Sequence, residues 1–168
     1  MKLTIVEYPA SVLTTSGEEI RDFSGMAEVF ADMEETLLES GGIGLAAPQV
    51  GLPIRAIVID EGLISTRDLR RPQHRYLRIA NPKIVVASDE TETDSEGCLS
   101  FPGLHIQVER PSSVYVEYKD ENGMMQSVAA SGLLARCFQH EIDHIDGKVM
   151  IDRLSPADRM AALMQYRR

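Results

Sequence analysis

The sequence predicts one domain of the α+β class, and two observations carry this prediction. Strand-like segments follow one another in runs, whereas a doubly wound parallel sheet would alternate strands with helices. Two amphipathic helical segments lie far apart, one near the N-terminus and one towards the C-terminus. We therefore expect antiparallel or mixed β-sheets packed around the more C-terminal helix, with the second helix near the N-terminus.

Size and composition agree with one globular domain over residues 1–168. The chain is 43% hydrophobic and 26% charged, and its length allows roughly two-thirds of the unfolded surface to be buried. The net charge of −9 argues against a nucleic-acid surface spread over the whole fold. No apolar run approaches the roughly 20 residues of a membrane span. Two cysteines and the lack of a signal-peptide pattern favour a reduced, cytoplasmic setting.

The N-terminal third contains a strand candidate, a helix and a second strand. Residues 3–6 (LTIV) form a short apolar run that ends before Pro9. Apolar residues recur at helical spacing from 25 to 39, with Ser24 expected as the N-cap. Residues 54–60 have the continuous apolar character of a buried strand.

The remainder of the chain is predicted to consist of further strands and one more helix. Strand candidates lie at 76–80, 83–87, 104–109, 113–118 and 124–129. The acidic run 89–96 is expected to be an exposed loop. A helix runs from about Ser131 to His144 and stops at Gly147, and a short tail follows at about 156–168.

This last helix carries the sequence Gln-His-Glu-Ile-Asp-His at 139–144. His140 and His144 are four positions apart, so both imidazoles project from one face of the helix, one turn from each other, where they can bind one metal ion. Glu141 lies about 100° around the helix, beside the metal, where it can transfer protons. Short motifs also arise by chance, so this interpretation needs support elsewhere in the chain.

Cys98 supplies that support. It lies between Gly97 and Leu99, in a segment that a loop or strand end can direct towards the helix. One thiolate and two neutral imidazoles leave the fourth position of a tetrahedral metal open for water, as in catalytic sites. Two other uses of cysteine remain open: burial as a small apolar side chain, which suits Cys137, and a disulfide between the two cysteines.

The segment 42–51 is rich in glycine and alanine, and Gln49 is its only long polar side chain. Such a segment allows close approach of another backbone. A phosphate-binding loop is the alternative, but the segment lacks the Lys-Ser/Thr pair of a P-loop and follows a helix instead of a strand.

Three blocks of sequence together resemble the peptide deformylase family: GIGLAAPQ at 42–49, EGCLS at 96–100 and QHEIDH at 139–144. They occur in the family's order, and the similarity extends from about residue 3 to 155. The resemblance implies a metal-dependent hydrolase that removes the N-formyl group from the formylmethionine of newly synthesised proteins and releases formate. Its partners would be N-formylmethionyl nascent peptides. A transient contact with the ribosome is also implied; some members make it through a C-terminal helix that is longer than the segment 156–168 of this chain.

The resemblance also implies the metal and the catalytic roles. Cys98, His140 and His144 would bind one divalent ion, with Fe²⁺ expected as the native metal and Zn²⁺, Ni²⁺ or Co²⁺ as alternatives. Glu141 would be the general base and then the general acid. The side-chain amide of Gln49 and the backbone N–H of Leu99 would stabilise the negative charge on the formyl oxygen.

Substrate contacts follow from the same resemblance. The peptide backbone would pair with the segment Ile43–Gly44 and with residues around Gly97, as an added strand. The methionine side chain would enter an apolar pocket lined by Ile43, Leu133, Cys137 and the His140 ring.

Three further charged residues lie in or near these blocks. Glu96 and Arg110 are expected to pair and brace the Cys98 segment, and two unrelated surface charges are the alternative. Arg136 stands where several family members carry an aliphatic residue. We expect its charged head to line the rim of the methionine pocket while its stem packs.

Two other functions remain open from the sequence. An H-E-x-x-H peptidase that cleaves ordinary peptide bonds would use the same glutamate and metal, but cysteine is an unusual third ligand for it. A metal-stabilised binding module without turnover, such as a catalytically silent family member, is the second alternative. The presence of both Glu141 and Gln49 favours the deformylase.

Overall fold

The computed structural model describes residues 1–66, 68 and 70–167. The α-helices of this part are Met26–Ser40 (α1), Glu61–Ser65 (α2), Gly132–Ile145 (α3) and Pro156–Tyr166 (α4). Its β-strands are Gly44–Ala46 (β1), Ala56–Asp60 (β2), Tyr76–Ala87 (β3), Thr91–Cys98 (β4), Phe101–Pro111 (β5), Ser113–Lys119 (β6) and Met125–Ser131 (β7). Short 3-10 helices occupy Ser11–Thr14, Ala47–Val50 and Met150–Arg153.

Within the described residues the strands form two antiparallel sheets. One has five strands in the order β1-β2-β3-β6-β7, and the other is the hairpin of β4 and β5. The helix α3 contacts strands of both sheets and carries the H-E-x-x-H motif in its C-terminal half. The predicted α+β class, with antiparallel sheets packed around this helix, is therefore confirmed.

Strand β2 shows why the larger sheet is buried on both faces. Its side chains alternate, so that Ile57 and Ile59 face α3 and pack with Phe138, whereas Val58 faces α1 and packs with Phe30. All five residues of β2 are buried. A strand covered on both faces needs apolar residues at successive positions, which explains its continuous apolar sequence.

A third cluster of buried side chains lies beneath the β4–β5 hairpin. Phe101 and Leu104 of β5 pack there with the 3-10 helix at 150–153 and with Ala162 of α4. The predicted tail at 156–168 is thus mostly a packed helix, and Arg168 lies outside the described residues. Among the described helices, none combines the length and the apolar character that a membrane crossing requires.

Two sequence predictions of local structure are wrong. Residues 3–6 form single hydrogen bonds, from Leu3 N–H to Thr36 Oγ1 (2.8 Å) and from Val6 N–H to the Gln49 carbonyl (2.7 Å), and belong to no strand. The acidic run 89–96, predicted as a loop, mostly forms strand β4, because β5 supplies a complete antiparallel partner for it. Its exposed, charged side chains conceal this pairing from the sequence pattern.

Two smaller differences concern helix and strand boundaries. The N-cap of α1 is Gly25, in the left-handed conformation with φ 77°, so Ser24 is not the cap. The predicted strands at 76–80 and 83–87 are one strand, β3, with a register shift between Ala80 and Lys83. Asn81 lies in this irregularity because its side chain exchanges two hydrogen bonds with the backbone of Ile20, at 2.9 and 2.8 Å.

Candidate metal centre and active-site cleft

Cys98 at the end of β4 and the two histidines of α3 converge on one point. One potential ligand atom from each of Cys98, His140 and His144 lies within 4.8 Å of the others. The Sγ atom of Cys98 is 3.3 Å from Nε2 of His144. A soft thiolate with two imidazoles fits a tetrahedral or expanded site for Fe²⁺ or Zn²⁺ with an open position. Both cysteines of the chain are free thiols.

The two histidines differ in their surroundings. Nδ1 of His140 is 2.8 Å from Oε1 of Glu96, which leaves Nε2 to face the convergence point. Burial lowers the pKa of His140, but Cys98 and Glu96 more than offset this effect and hold that pKa well above its ordinary value. Burial and the neighbouring His140 hold the pKa of His144 well below its ordinary value. A metal ion would therefore compete with a proton at His140 and would meet a neutral imidazole at His144.

Glu96 is the centre of a buried network of charges behind the site. Arg110 donates to both of its oxygens, from Nε to Oε2 at 2.5 Å and from Nη2 to Oε1 at 2.8 Å. A third donor of Arg110, Nη1, reaches Oδ2 of Asp143 at 3.0 Å. Burial raises the pKa of Glu96, but the hydrogen bonds from Arg110 and His140 outweigh burial and hold that pKa well below its usual range. The predicted Glu96–Arg110 pair is confirmed, and it is buried instead of lying at the surface.

Arg136 borders the same cleft, and its side chain is only 8% exposed. Nη1 donates to Oε2 of Glu96 (2.7 Å) and to the carbonyl of Val108 (2.8 Å), and Nη2 donates to the carbonyl of Glu92 (2.8 Å). These partners come from the β4–β5 hairpin, for which the sequence pattern predicts a loop at 89–96 and a strand at 104–109.

The side chain of Glu141 is buried, and one of its carboxylate oxygens accepts no hydrogen bond from the described residues. Its Oε2 atom has no hydrogen-bond partner among the described residues, and the side chain borders the cleft. Burial raises the pKa of Glu141 to about 7. A carboxylate with this pKa can both accept and return a proton near neutral pH.

Gln49 is held so that its amide group faces the same point. Its Oε1 accepts a hydrogen bond from the Ala46 backbone N–H at 2.9 Å, which fixes the orientation of the side chain. Its Nε2 is then 3.4 Å from Sγ of Cys98 and 3.3 Å from Oγ of Ser100. Leu99 lies in the two-residue turn between β4 and β5, next to Cys98, and borders the same cleft.

The cleft in front of these groups has a volume of about 480 Å³. All five residues predicted to bind substrate border it: Ile43, Gly44, Gly97, Leu133 and Cys137. The sequence interpretation missed Phe101, Leu104 and His105, which also border it. The antiparallel register that places His105 opposite Gly97 is the only signal for His105, and that register becomes visible only in the folded hairpin.

Gly44 is the closest point of contact between β1 and α3. A Cβ atom at this position would lie 2.7 Å from Sγ of Cys137 and 2.8 Å from Oε1 of Glu141, closer than real Cβ contacts. Only glycine allows this approach without displacing one of the two side chains. The glycine at position 44 therefore lets β1 pack against the H-E-x-x-H helix, and this close contact explains it without a phosphate.

Comparison with known proteins agrees with this geometry. The family model for polypeptide deformylase matches residues 2–160. A peptide deformylase of Brucella suis biovar 1 is 41% identical over 165 residues, which make up 98% of this chain and 91% of that relative.

Solved structures give the same result for the fold. The peptide deformylase of Thermus thermophilus matches with a TM-score of 0.89 at 39% identity, covering 99% of this chain and 94% of that one. A peptide deformylase of Synechococcus elongatus in complex with actinonin matches with a TM-score of 0.85 at 38% identity, covering 98% and 85%. The predicted family resemblance is confirmed: the chain belongs to the polypeptide deformylase family.

Proposed function

We propose that the cleft removes the N-formyl group from N-formylmethionyl nascent peptides by metal-assisted hydrolysis, releasing formate and a free amino terminus. The observation that carries this proposal is the convergence of Cys98, His140 and His144 within 4.8 Å of one another, beside Glu141 and Gln49. A thiolate-containing ligand set next to a general base and an amide donor suits the attack of water on a small carbonyl group.

Cys98, His140 and His144 would hold one divalent metal ion, and the Nδ1 contact with Glu96 would orient His140. Held there, the metal would supply a water of lowered pKa and would polarise the formyl oxygen. We expect Fe²⁺ as the native ion, with Zn²⁺, Ni²⁺ or Co²⁺ able to replace it, because imidazole and thiolate suit all four.

Glu141 would carry the proton through the reaction. It accepts a proton from the attacking water and later returns it to the leaving amine of the peptide. Its buried position raises its pKa to about 7, which matches both steps at neutral pH. Its Oε2 atom, free of other partners in the described residues, is available for the water.

Gln49 and Leu99 would stabilise the charge that develops on the formyl oxygen. The contact of Oε1 with Ala46 directs Nε2 of Gln49 towards Sγ of Cys98, at the border of the cleft, where it would donate to the formyl oxygen. The backbone N–H of Leu99 is the second donor. Losing one such donor typically lowers turnover by about 10²–10³-fold.

The substrate would lie between the segment Ile43–Gly44 and the β4 strand near Gly97, pairing with them through its backbone. Its methionine side chain would contact Ile43, Leu133 and Cys137, which border the cleft. Cys137 is suited to an apolar pocket because burial raises the pKa of its thiol well above the ordinary value and keeps it neutral.

The activity is tested by formate release from formyl-Met peptides, with acetyl-Met and unmodified Met peptides as matched substrates. Wild-type protein should release formate from the first peptide only, and the Glu141→Ala variant should lose about 10²–10⁴-fold in kcat while keeping its metal. The Cys98→Ala variant should lose metal. Cleavage of internal peptide bonds would support the peptidase alternative, and absence of all turnover in metal-loaded protein would support a silent binding module.

The native ion is tested by anaerobic purification with metal analysis, followed by the formate assay before and after exposure to air. Iron in the anaerobic protein, with activity that falls quickly in air, would support Fe²⁺ beside an oxidisable thiolate. A stable, zinc-loaded protein with full activity would contradict the expectation.

The substrate class also indicates where the enzyme acts. We propose a single catalytic domain in the cytoplasm that meets nascent chains through transient contact with the ribosome. Co-sedimentation with translating ribosomes at low and physiological salt tests the contact, which at a net charge of −9 should be weak and sensitive to salt.

A further inference from the structure

We propose that Arg136 is a positioning residue for the metal centre. It fastens helix α3 to the β4–β5 hairpin and thereby sets the position of Cys98 relative to the two histidines. This inference rests on the ligand set proposed above, because it assumes that Cys98 and the α3 histidines bind the same ion.

The contacts of Arg136 span both strands of the hairpin. Its guanidinium donates to a β4 carbonyl (Glu92, 2.8 Å), to a β5 carbonyl (Val108, 2.8 Å) and to a β4 carboxylate (Glu96, 2.7 Å). The side chain itself belongs to α3, one turn before His140. A planar guanidinium with several donors can hold three acceptors at once, which a lysine cannot do in the same geometry.

The hairpin needs such an attachment because it is not part of the larger sheet. Among the described residues, β4 pairs only with β5, whereas α3 packs on the five-stranded sheet. Two of the proposed ligands are therefore on one unit and the third, Cys98, is on the other. Apart from backbone hydrogen bonds at Ser112, next to the end of β5, side-chain contacts join the two units, and we infer that these contacts set the distance between Cys98 and the histidines.

Arg136 differs from the other arginine that joins the two units. Arg110 belongs to the hairpin and reaches Asp143 on α3, and it also holds Glu96 in place. Arg136 reaches in the opposite direction and holds the backbone of the hairpin itself. Loss of Arg136 therefore leaves Glu96 paired with Arg110 but releases the two carbonyls, so we expect the hairpin to shift more than Glu96 does.

The experiment measures Co²⁺ binding and the spectrum of the Co²⁺ form, first in wild type, Arg136→Met, Arg136→Lys and Cys98→Ala. Methionine keeps an unbranched stem without donors, and lysine keeps the charge but can reach only one or two acceptors. Competition with a chromophoric chelator gives the Co²⁺ affinity, the thiolate-to-cobalt absorption band reports the Cys98 bond, and the melting temperature of the metal-free protein reports folding.

We expect the Arg136→Met variant to bind Co²⁺ about 10–100-fold more weakly and to show a weakened thiolate band, with Arg136→Lys in between. Activity of the variant with saturating metal should show a lower kcat with little change in KM. A role confined to the methionine pocket would instead raise KM and leave the band unchanged.

A double variant separates positioning from general stability. If Arg136 acts through Cys98, the double variant should bind Co²⁺ less than about threefold more weakly than Cys98→Ala alone. The bond from Cys98 to the ion, which Arg136 would position, is already absent in Cys98→Ala. Fully additive losses would overturn the proposal. Arg78→Met is the control. Arg78 of β3 donates to both carboxylate oxygens of Glu34 on α1 (2.6 and 2.9 Å), away from the proposed metal ligands, so the Co²⁺ affinity of this variant should be unchanged.

The outcomes distinguish this inference from the proposed function. If Cys98→Ala binds Co²⁺ as tightly as wild type, the ligand set is wrong and the proposed function fails. If Cys98→Ala weakens binding but Arg136→Met retains wild-type affinity and spectrum, only the role of Arg136 is overturned. Should Arg136→Met fail to fold, Arg136→Lys decides: intermediate affinity supports the proposal, and wild-type affinity with a wild-type band overturns it.

Discussion

At the scale of single residues, Gly44 shows how one absent methyl group controls the active-site geometry. Replacing it by alanine places a Cβ atom 2.7 Å from Sγ of Cys137 and 2.8 Å from Oε1 of Glu141, so at least one of these side chains must move. Because Glu141 is the proposed base, we expect kcat for formate release to fall by about 100-fold or more, with the metal content unchanged.

Two further variants test this explanation. Gly42→Ala adds a Cβ that meets only the ends of the Leu99 and Leu37 side chains, at 3.1 and 3.2 Å, so its kcat should change far less. Adding Cys137→Ala to Gly44→Ala removes one of the two close contacts and leaves the one with Glu141. Full recovery in that double variant would show that displacement of Glu141 is not the cause.

Because of Glu96, the free energy of unfolding should depend on pH in a defined way. Its pKa in the folded protein lies below that of an unfolded glutamate, about 4.3, so it adds stability above that pH and loses it as the pH falls. In metal-free protein, the free energy of unfolding should therefore decrease below a pH of about 4.3 with a slope of up to about 1.4 kcal/mol per pH unit from this group. Urea unfolding at several pH values measures it.

Glu96→Gln is the variant that isolates this contribution. It removes the titrating carboxylate, so the variant should be less stable at neutral pH but should lose less stability between about pH 4.3 and about pH 3 than wild type. Parallel curves for the two proteins would show that Glu96 is not the source of the acid sensitivity.

At the scale of elements, α4 supports the strand that follows Cys98. The ring of Tyr166 lies 5.1 Å from that of Phe101, which itself stacks on Tyr8 at 4.8 Å. Aromatic pairs contribute about 0.5–1.5 kcal/mol beyond their buried area. We expect Tyr166→Ala to lower the free energy of unfolding by about 1–3 kcal/mol, measured by urea denaturation.

Met164 provides the control for this prediction, because it lies on the same helix but is 58% exposed. Met164→Ala should change the free energy of unfolding by less than about 0.5 kcal/mol. Equal effects of the two substitutions would contradict the view that α4 acts through its aromatic contact with Phe101.

The elements also show what local sequence could and could not reveal. The helices α1 and α3 and the buried strand β2 were predictable, because their apolar periodicity reflects their own burial. Strand β4 was not, since its polar, exposed side chains carry no such pattern and it exists through pairing with β5. For residues 3–6 the error was the reverse. Their apolar sequence predicted a strand, but among the described residues no partner strand lies beside them.

The candidate site follows the same rule. The chemical residues of the three sequence blocks were predictable from motif and spacing. Of these, Gln49, Cys98, His140 and Glu141 border one cleft, and a ligand atom of His144 lies within 4.8 Å of those of Cys98 and His140. The role of Arg136 was not predictable, because its acceptors lie on a hairpin 28 to 44 positions away and include two backbone carbonyls. Any residue type can supply a backbone carbonyl, so the sequence alone did not show that Arg136 binds the hairpin.

At the scale of the whole molecule, the hydrophobic clusters do not depend on the metal. Two clusters cover the faces of the larger sheet, and the third lies beneath the hairpin, built from apolar side chains. The metal centre would join the hairpin to α3, but Arg110 and Arg136 also join them, through Asp143 and Glu96. Metal removal should therefore reduce stability without abolishing the fold.

The measurement is thermal unfolding with and without a chelator. Binding at an ion concentration about 100 times Kd adds about 2.7 kcal/mol, and for a protein of this length each kcal/mol shifts Tm by about 2–4 °C. We therefore expect Tm to fall by about 5–11 °C on metal removal while the far-UV circular dichroism at about 20 °C stays the same. Cys98→Ala, which lacks one proposed ligand, should show a much smaller shift. Loss of secondary structure on chelation would instead mean that the ion is needed to form the fold, because the three apolar clusters would then be insufficient without the bond between hairpin and helix.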